Sequence, residues 1–226
     1  MTLTDMQIVA KAVRDVPAGS YVNLGIGMPV TALDLWRDDD SVVIHSENGI
    51  LGMRALDPEE PGDPDVVNAG KQPVAVREGA AYFHHADSFA MMRGGHLDYS
   101  ILGAYQVSAA GDIANWSLGK AGMIPAVGGA MDLVVGAKNV WVVMRHLTRD
   151  GGPRLVESCT MPLTGAHVVR RVYTDLATID VGGEGFVVTE ISPDVTVAEL
   201  RAATDAPLQF APGVLAHQEQ KDGAQA

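Results

Sequence analysis

The sequence predicts an α/β fold: an open mixed/parallel sheet with helices on both faces. Three observations carry that expectation. Short apolar runs of strand length recur along the 226 residues, most of them ending at a glycine turn. Segments with helical spacing alternate with them. No internal repeat or break in composition marks a linker. Because 47% of the residues are hydrophobic and mean hydropathy is +0.10, the chain can close a core and is not disordered. One domain is expected over residues 1–215, followed by a frayed polar tail over 216–226.

The elements follow in order. A helix is expected from about Asp5 to Val16, with Ile8, Val9, Ala12, Val13 and Val16 on one face and Thr4 as N-cap. Pro17-Ala18-Gly19 stops it. Ser20–Leu24 reads as a strand, and Gly25-Ile26-Gly27-Met28-Pro29 turns into a helix over Val30–Trp36. Ser41–Ile44 is a short buried strand that breaks at His45-Ser46-Glu47-Asn48-Gly49, where Asn48-Gly49 is a strong turn pair. A Pro/Asp/Glu/Gly loop covers Met53–Pro64, long enough to suggest a functional or mobile segment. Val74–Val76 and Ala80–Phe83 are short β candidates, and Ser88–Arg93 suits a helical turn. Leu97–Ala104 is an apolar strand. Within Ala126–Lys138 the pair Gly128-Gly129 leads into a helix, and Asn139–Arg145 is β-rich. Ala166–Val172 is a further apolar segment. Ala177–Val181 and Phe186–Ile191 form a hairpin about Gly182-Gly183-Glu184-Gly185, and Thr196–Ala203 is a closing helix.

Charge and cysteine usage narrow the function. A net charge of −12 and a pI near 4.8 exclude a nucleic-acid backbone binder but permit a small anion held by local amides. Cys159 is the sole cysteine, so an intrachain disulfide or a cysteine-based metal site is excluded. Met1-Thr2-Leu3-Thr4-Asp5 lacks a secretory signal pattern, and no apolar run reaches the roughly 20 residues of a membrane span. The expected location is cytoplasmic, with neither membrane nor nucleic acid as partner.

Glu47 is the leading candidate for chemistry. It follows an apolar strand at a glycine turn, where open α/β sheets bind ligands, and carboxylates serve as covalent nucleophiles. A solvated turn glutamate is the plain alternative. Gly25 and Gly27 make half of a dinucleotide fingerprint that Pro29 and Val30 leave incomplete, which argues against nicotinamide. They still allow close backbone approach to a ligand, or simply serve a tight turn. Gly128, Gly129 and Ala130 bring backbone amides to a helix start, where they suit a developing oxyanion. Asp132 there equally suits a first-turn role. His84-His85, read as extended, point apart; no zinc-binding spacing occurs, and no metal site is expected. His96 reads as a turn residue, and no G-x-S-x-G elbow supports a serine hydrolase.

Seven ordered segments together resemble one family, the B (beta) subunits of the class I 3-oxoacid and 3-oxoadipate CoA-transferases. They are Asn23–Pro29, Ser46–Gly52, Asn68–Lys71, Ser88–Asp98, Gly111–Trp116, Gly128–Leu133 and Cys159–Gly165. The resemblance covers about residues 5–210. It implies a NagB/RpiA/CoA-transferase-like fold. By motif position it makes Glu47 the nucleophile, forming an acyl–glutamyl anhydride and then a glutamyl-CoA thioester. It places Asn23 and Lys71 near CoA, and Gly128, Gly129 and Ala130 near the thioester. Lys71 as a surface ion pair is the alternative. Ser46 and Asn48 would orient Glu47, although turn geometry alone would also account for them. No cofactor is implied beyond the coenzyme A thioester as substrate. The implied partner is the CoA-transferase A (alpha) subunit, in an A2B2 heterotetramer, without which the chain is expected to be inactive. Phe83–Phe89 and His146-Leu147-Thr148 resemble the 3-oxoadipate branch more than the acetoacetate one, with succinyl-CoA as donor. Arg54-Ala55-Leu56 departs from the family's Gly/Pro-rich stretch. The rival classes are a sugar-phosphate or effector-binding α/β domain, an acyl-CoA hydrolase and a non-catalytic interaction module.

Overall fold

The structure is a computed structural model that describes residues 2–119, 122 and 126–215. The tail expected over 216–226 lies outside the described residues. Helix α1 (Asp5–Asp15) opens the fold because Thr4 caps it reciprocally. Its hydroxyl accepts from the Gln7 amide at 3.3 Å, and the Gln7 side chain accepts from the Thr4 amide at 2.8 Å. The strands of the main sheet are β1 (Tyr21–Leu24), β2 (Val43–Ser46), β3 (Ile50–Arg54), β4 (Ala75–Tyr82), β5 (Tyr99–Leu102), β8 (Asn139–Val143), β10 (Val169–Tyr173), β11 (Ala177–Gly182), β12 (Gly185–Ile191) and β13 (Leu208–Phe210). Between them lie α2 (Ala32–Leu35), α3 (His85–Arg93), α4 (Ala130–Gly136) and α5 (Val197–Ala202). A second, small sheet holds β6 (Gln106–Ser108), β7 (Ile113–Ala114) and β9 (Leu155–Val156).

The ten strands run β13-β12-β11-β10-β8-β5-β1-β2-β3-β4. The central five, from β10 to β2, are parallel; antiparallel pairings add β11 and β12 on one side and β3 and β4 on the other, and β13 joins β12 in parallel. This is the expected mixed sheet. Strand alternation divides the core into two layers. In β8, Val140 and Val142 pack with Met92 of α3, Leu133 of α4 and Leu200 of α5, together with the small sheet. Trp141 and Val143 face the other way, toward Ile8 and Ala12 of α1 and Leu33 of α2. Helices therefore cover both faces. No helix among the described residues is long and apolar enough to cross a membrane.

Local departures from the sequence expectations have physical reasons. The helix expected over Val30–Trp36 is a 3-10 turn, Met28–Thr31, with Pro29 near its start, followed by the short α2. The two β candidates near Val74 and Ala80 are one strand, β4, because β3 pairs along it on both sides of a register shift. The loop starts after Arg54, whose guanidinium grips the Glu60 carboxylate at 2.9 and 3.1 Å. Only His84 is extended: it caps α3 by accepting from the Ala86 amide at 3.1 Å, whereas His85 begins the helix, because the cap turns the chain there.

Candidate functional site

The site begins where three parallel strands end. Strand β1 lies between β2 and β5, so the chain moves to one side of β1 for β2 and later crosses to the other side for β5. Such a reversal leaves a crevice at the carboxyl ends of the strands. The residues that follow β1, β2 and β5 are Gly25, Glu47 and Gly103, and all three line one cavity of about 520 Å³. That volume is in the range of small-molecule sites. At Gly25 a methyl group would stand 3.0 Å from Leu102 Cδ2, so glycine keeps the ends of β1 and β5 close.

Glu47 follows β2 in a turn closed by the Gly49 amide, which donates to the Ser46 carbonyl at 3.0 Å. Its carboxylate lies directly against the backbone of Gly129, so that a methyl at Gly129 would overlap Oε2. The same methyl would stand 3.1 Å from Phe89 Cζ of α3. Gly129 thus provides a seat with no side chain. Partial burial raises the Glu47 carboxyl above the usual range; nearby His85 opposes this and Asp132 adds to it. Among the described residues no hydrogen-bond donor holds the carboxylate.

Helix α3 forms the wall beside this seat. The His85 ring lies 4.7 Å from that of Phe89, centroid to centroid, and the Arg93 guanidinium also stands over the Phe89 ring. Arg93 Nε donates to Asp132 Oδ1 at 2.6 Å, tying α3 to α4. Beneath Glu47 runs a buried polar chain. Asn23 Nδ2 lies 3.0 Å from His45 Nδ1 and donates to the His45 carbonyl at 3.2 Å, and His45 Nε2 lies 2.9 Å from Ser88 Oγ. The Asn23 amide nitrogen only donates, so His45 Nδ1 accepts and its Nε2–H donates to Ser88. Burial pushes the His45 imidazolium down to about 4, which keeps the ring neutral at ordinary pH.

Gly25, Asn23, Glu47, Gly128, Gly129 and Ala130 come together around the cavity. The others stand apart from its lining. Gly27 precedes the 3-10 turn. Ser46 Oγ accepts from the Ala69 amide at 3.2 Å, and Asn48 Nδ2 donates to the Val67 carbonyl at 2.7 Å. These bonds fasten the segment 67–69 to the Glu47 turn. Lys71 is exposed, in left-handed backbone with φ 62°, and its amide donates to the Asn68 carbonyl at 2.9 Å. The cavity residues beyond the sequence candidates include Asn115, Trp116 and Arg154. Asn115 and Trp116 lie in a segment whose resemblance was visible, whereas nothing local marks Arg154.

Comparison with known proteins places this site in context. A family model described as Coenzyme A transferase matches residues 6–203. The chain is 51% identical over 206 residues to the B subunit of the 3-oxoadipate CoA-transferase of Pseudomonas putida, covering 91% of this chain and 96% of that one. It is 43% identical over 210 residues to the B subunit of a probable succinyl-CoA:3-ketoacid coenzyme A transferase of Bacillus subtilis, covering 92% and 96%. Among solved structures, the acyl-CoA transferase YdiF apoenzyme from Escherichia coli O157:H7 aligns with a TM-score of 0.75 at 17% identity. That alignment covers 95% of this chain and 44% of the other, so this chain spans less than half of that polypeptide. At such identity the likeness speaks for the fold alone.

Proposed function

The chain belongs to the coenzyme A transferase family, and from that premise we propose that it is the B subunit of an enzyme moving CoA from succinyl-CoA to a 3-oxo acid, 3-oxoadipate above all. The observation that carries this reading is the Glu47 carboxylate, seated on Gly129 in the strand-end cavity without a hydrogen-bond donor among the described residues. A carboxylate whose ionised form is disfavoured by burial is a better nucleophile than a solvated one, and it needs no base to activate it.

The steps balance without any other reactant. A Glu47 oxygen attacks the succinyl-CoA carbonyl and the CoA thiolate leaves, giving a mixed anhydride. The thiolate then attacks the glutamyl carbonyl, releasing succinate and leaving a Glu47–CoA thioester. The carboxylate of the acceptor acid attacks that thioester, and the returning thiolate takes its acyl group, restoring Glu47. The Gly129 amide takes the oxyanion charge, while that of Ala130 donates to the Val127 carbonyl at 3.3 Å and fixes the turn; Asn23 and Lys71 serve CoA. Exclusion of water preserves the thioester energy. No cofactor enters beyond the CoA thioester itself, and the setting is cytoplasmic.

An A subunit completes the site in an A2B2 assembly. Ile26 supports this reading, because it is 70% exposed on the cavity lining, where a partner would cover it. Identity favours 3-oxoadipate over a 3-ketoacid such as acetoacetate, which is the second reading. The test uses the co-purified A/B complex. After incubation with succinyl-CoA, borohydride or hydroxylamine trapping should mark the Glu47 peptide by mass spectrometry. Glu47→Gln should lower turnover at least about 10³-fold with assembly intact; turnover at the wild-type rate overturns the reading. Transfer to acetoacetate but not to 3-oxoadipate overturns only the choice of acid.

A further inference from the structure

We propose that Arg154 is the residue that recognises the second carboxylate of the acid, making this site selective for dicarboxylates. The inference rests on the CoA-transferase reading above and names a contact within that site. Two side chains that carry full charge line the described cavity, Glu47 and Arg154. The first is the nucleophile; the second has no part in the steps above.

The Asn115 amide and the Trp116 indole on that wall are already bonded. Asn115 Nδ2 donates to the Gly103 carbonyl at 3.1 Å, and its Oδ1 accepts from the Thr164 hydroxyl at 2.6 Å. Trp116 Nε1 donates to the Leu163 carbonyl at 3.1 Å. Arg154 differs. One nitrogen, Nη1, donates to the Ala104 carbonyl at 3.1 Å, while Nε is buried without a partner. Among the described residues it forms no ion pair, although the chain carries a net charge of −12 and most of its arginines are paired. A guanidinium has five donors in a planar fork, and a carboxylate is the acceptor that fits it.

The surroundings strengthen the case. Gly103, Ala104 and Arg154 also line a second cavity of about 550 Å³, which holds Arg145 and Arg149. Arg145 is neutralised by Asp5 and Asp175. Arg154 is the charged residue that the two linings share, beside Gly103 and Ala104. Glu47 and Arg154 line the same cavity of about 520 Å³, a volume that can take the carbon chain of an acid. One end of that acid reacts at Glu47 and the other ends at the guanidinium. Succinate and a 3-oxodicarboxylate both present that second carboxylate, so one cation would serve both halves of the exchange.

Succinate and butyrate, matched in length and differing in the second carboxylate, are the probes. Their binding to the co-purified A/B complex is measured by calorimetry and by competition in the transfer assay. The wild type should prefer succinate. Arg154→Met should reduce the succinate-to-butyrate affinity ratio about 10- to 100-fold, the range for losing a charge-assisted pair, and Arg154→Lys should recover much of it. Arg154→Gln serves as the neutral variant if the methionine impairs assembly. A ratio unchanged in the neutral variants, or both acids weakened equally, overturns the inference. The two readings fail separately: a complex that binds succinate through Arg154 yet transfers no CoA overturns the proposed function and leaves the contact standing.

Discussion

At Gly129 a single methyl group would compete with Glu47 for the same space. The carboxylate lies where that methyl would stand, and Phe89 leaves no room behind it. Gly129→Ala is therefore expected to displace Glu47 without disturbing the sheet. Turnover of the assembled enzyme should fall about 10²-fold, the scale of a misplaced reacting group. The thermal midpoint should move little, and rapid-mixing assays of glutamyl-CoA formation would locate the loss in the covalent step. Wild-type kinetics in this variant would show that Glu47 moves during turnover. At this scale Glu47 was a candidate from its place between an apolar strand and Asn48-Gly49, but a solvated turn residue fits that position as well, and the family resemblance is what singled it out. The flanking His85 and Phe89 were not candidates, because they approach Glu47 only when α3 docks on α4 through Arg93 and Asp132. His84 gave no signal as a cap, since histidine is not among the favoured N-cap residues.

Among the elements, β8, β10 and α5 are joined by one buried histidine. His146 follows β8; its Nδ1 lies 2.9 Å from Thr174 Oγ1 after β10, and its Nε2 lies 2.9 Å from Thr204 Oγ1 after α5. Burial pushes its imidazolium down to about 4, against about 6.5 for the unfolded chain. The unfolded state then binds the proton first, so the stabilisation is complete above pH 6.5 and is lost as pH falls toward 4. The expected contribution is on the order of 3 kcal/mol for this one group. Unfolding midpoints measured between pH 7 and 4.5 should decline more steeply in the wild type than in His146→Gln. Equal slopes would exclude the histidine as the source. The elements themselves were unevenly legible. Strands such as β8 announce themselves as apolar runs, and Thr4 marks the start of α1. The small sheet does not, because its strands are two or three residues long and exist through distant pairing, Val107 with Leu155. Propensity carries little weight against such tertiary pairing.

For the whole molecule, the crevice formed by strand order is open on the side where Ile26 is exposed. The chain alone should transfer no CoA, and mixing it with the purified A partner should restore transfer; activity in the isolated chain would remove the need for a partner. The overall class was legible because parallel strands buried on both faces read as apolar segments separated by glycine turns. The order of the strands was not, since β5 joining β1 on the side opposite β2 is a property of crossovers that no local pattern records.

The seat of the Glu47 carboxylate is built from main chain at Gly129, and main chain is the same whatever residues surround it. Redesign aimed at new acids would thus find little to alter around Glu47, where a larger side chain simply evicts the reactive group. If Arg154 holds the far terminus of the guest as proposed, freedom to change what the enzyme accepts lies across the void, where one exchange of side chain would alter the polarity met there.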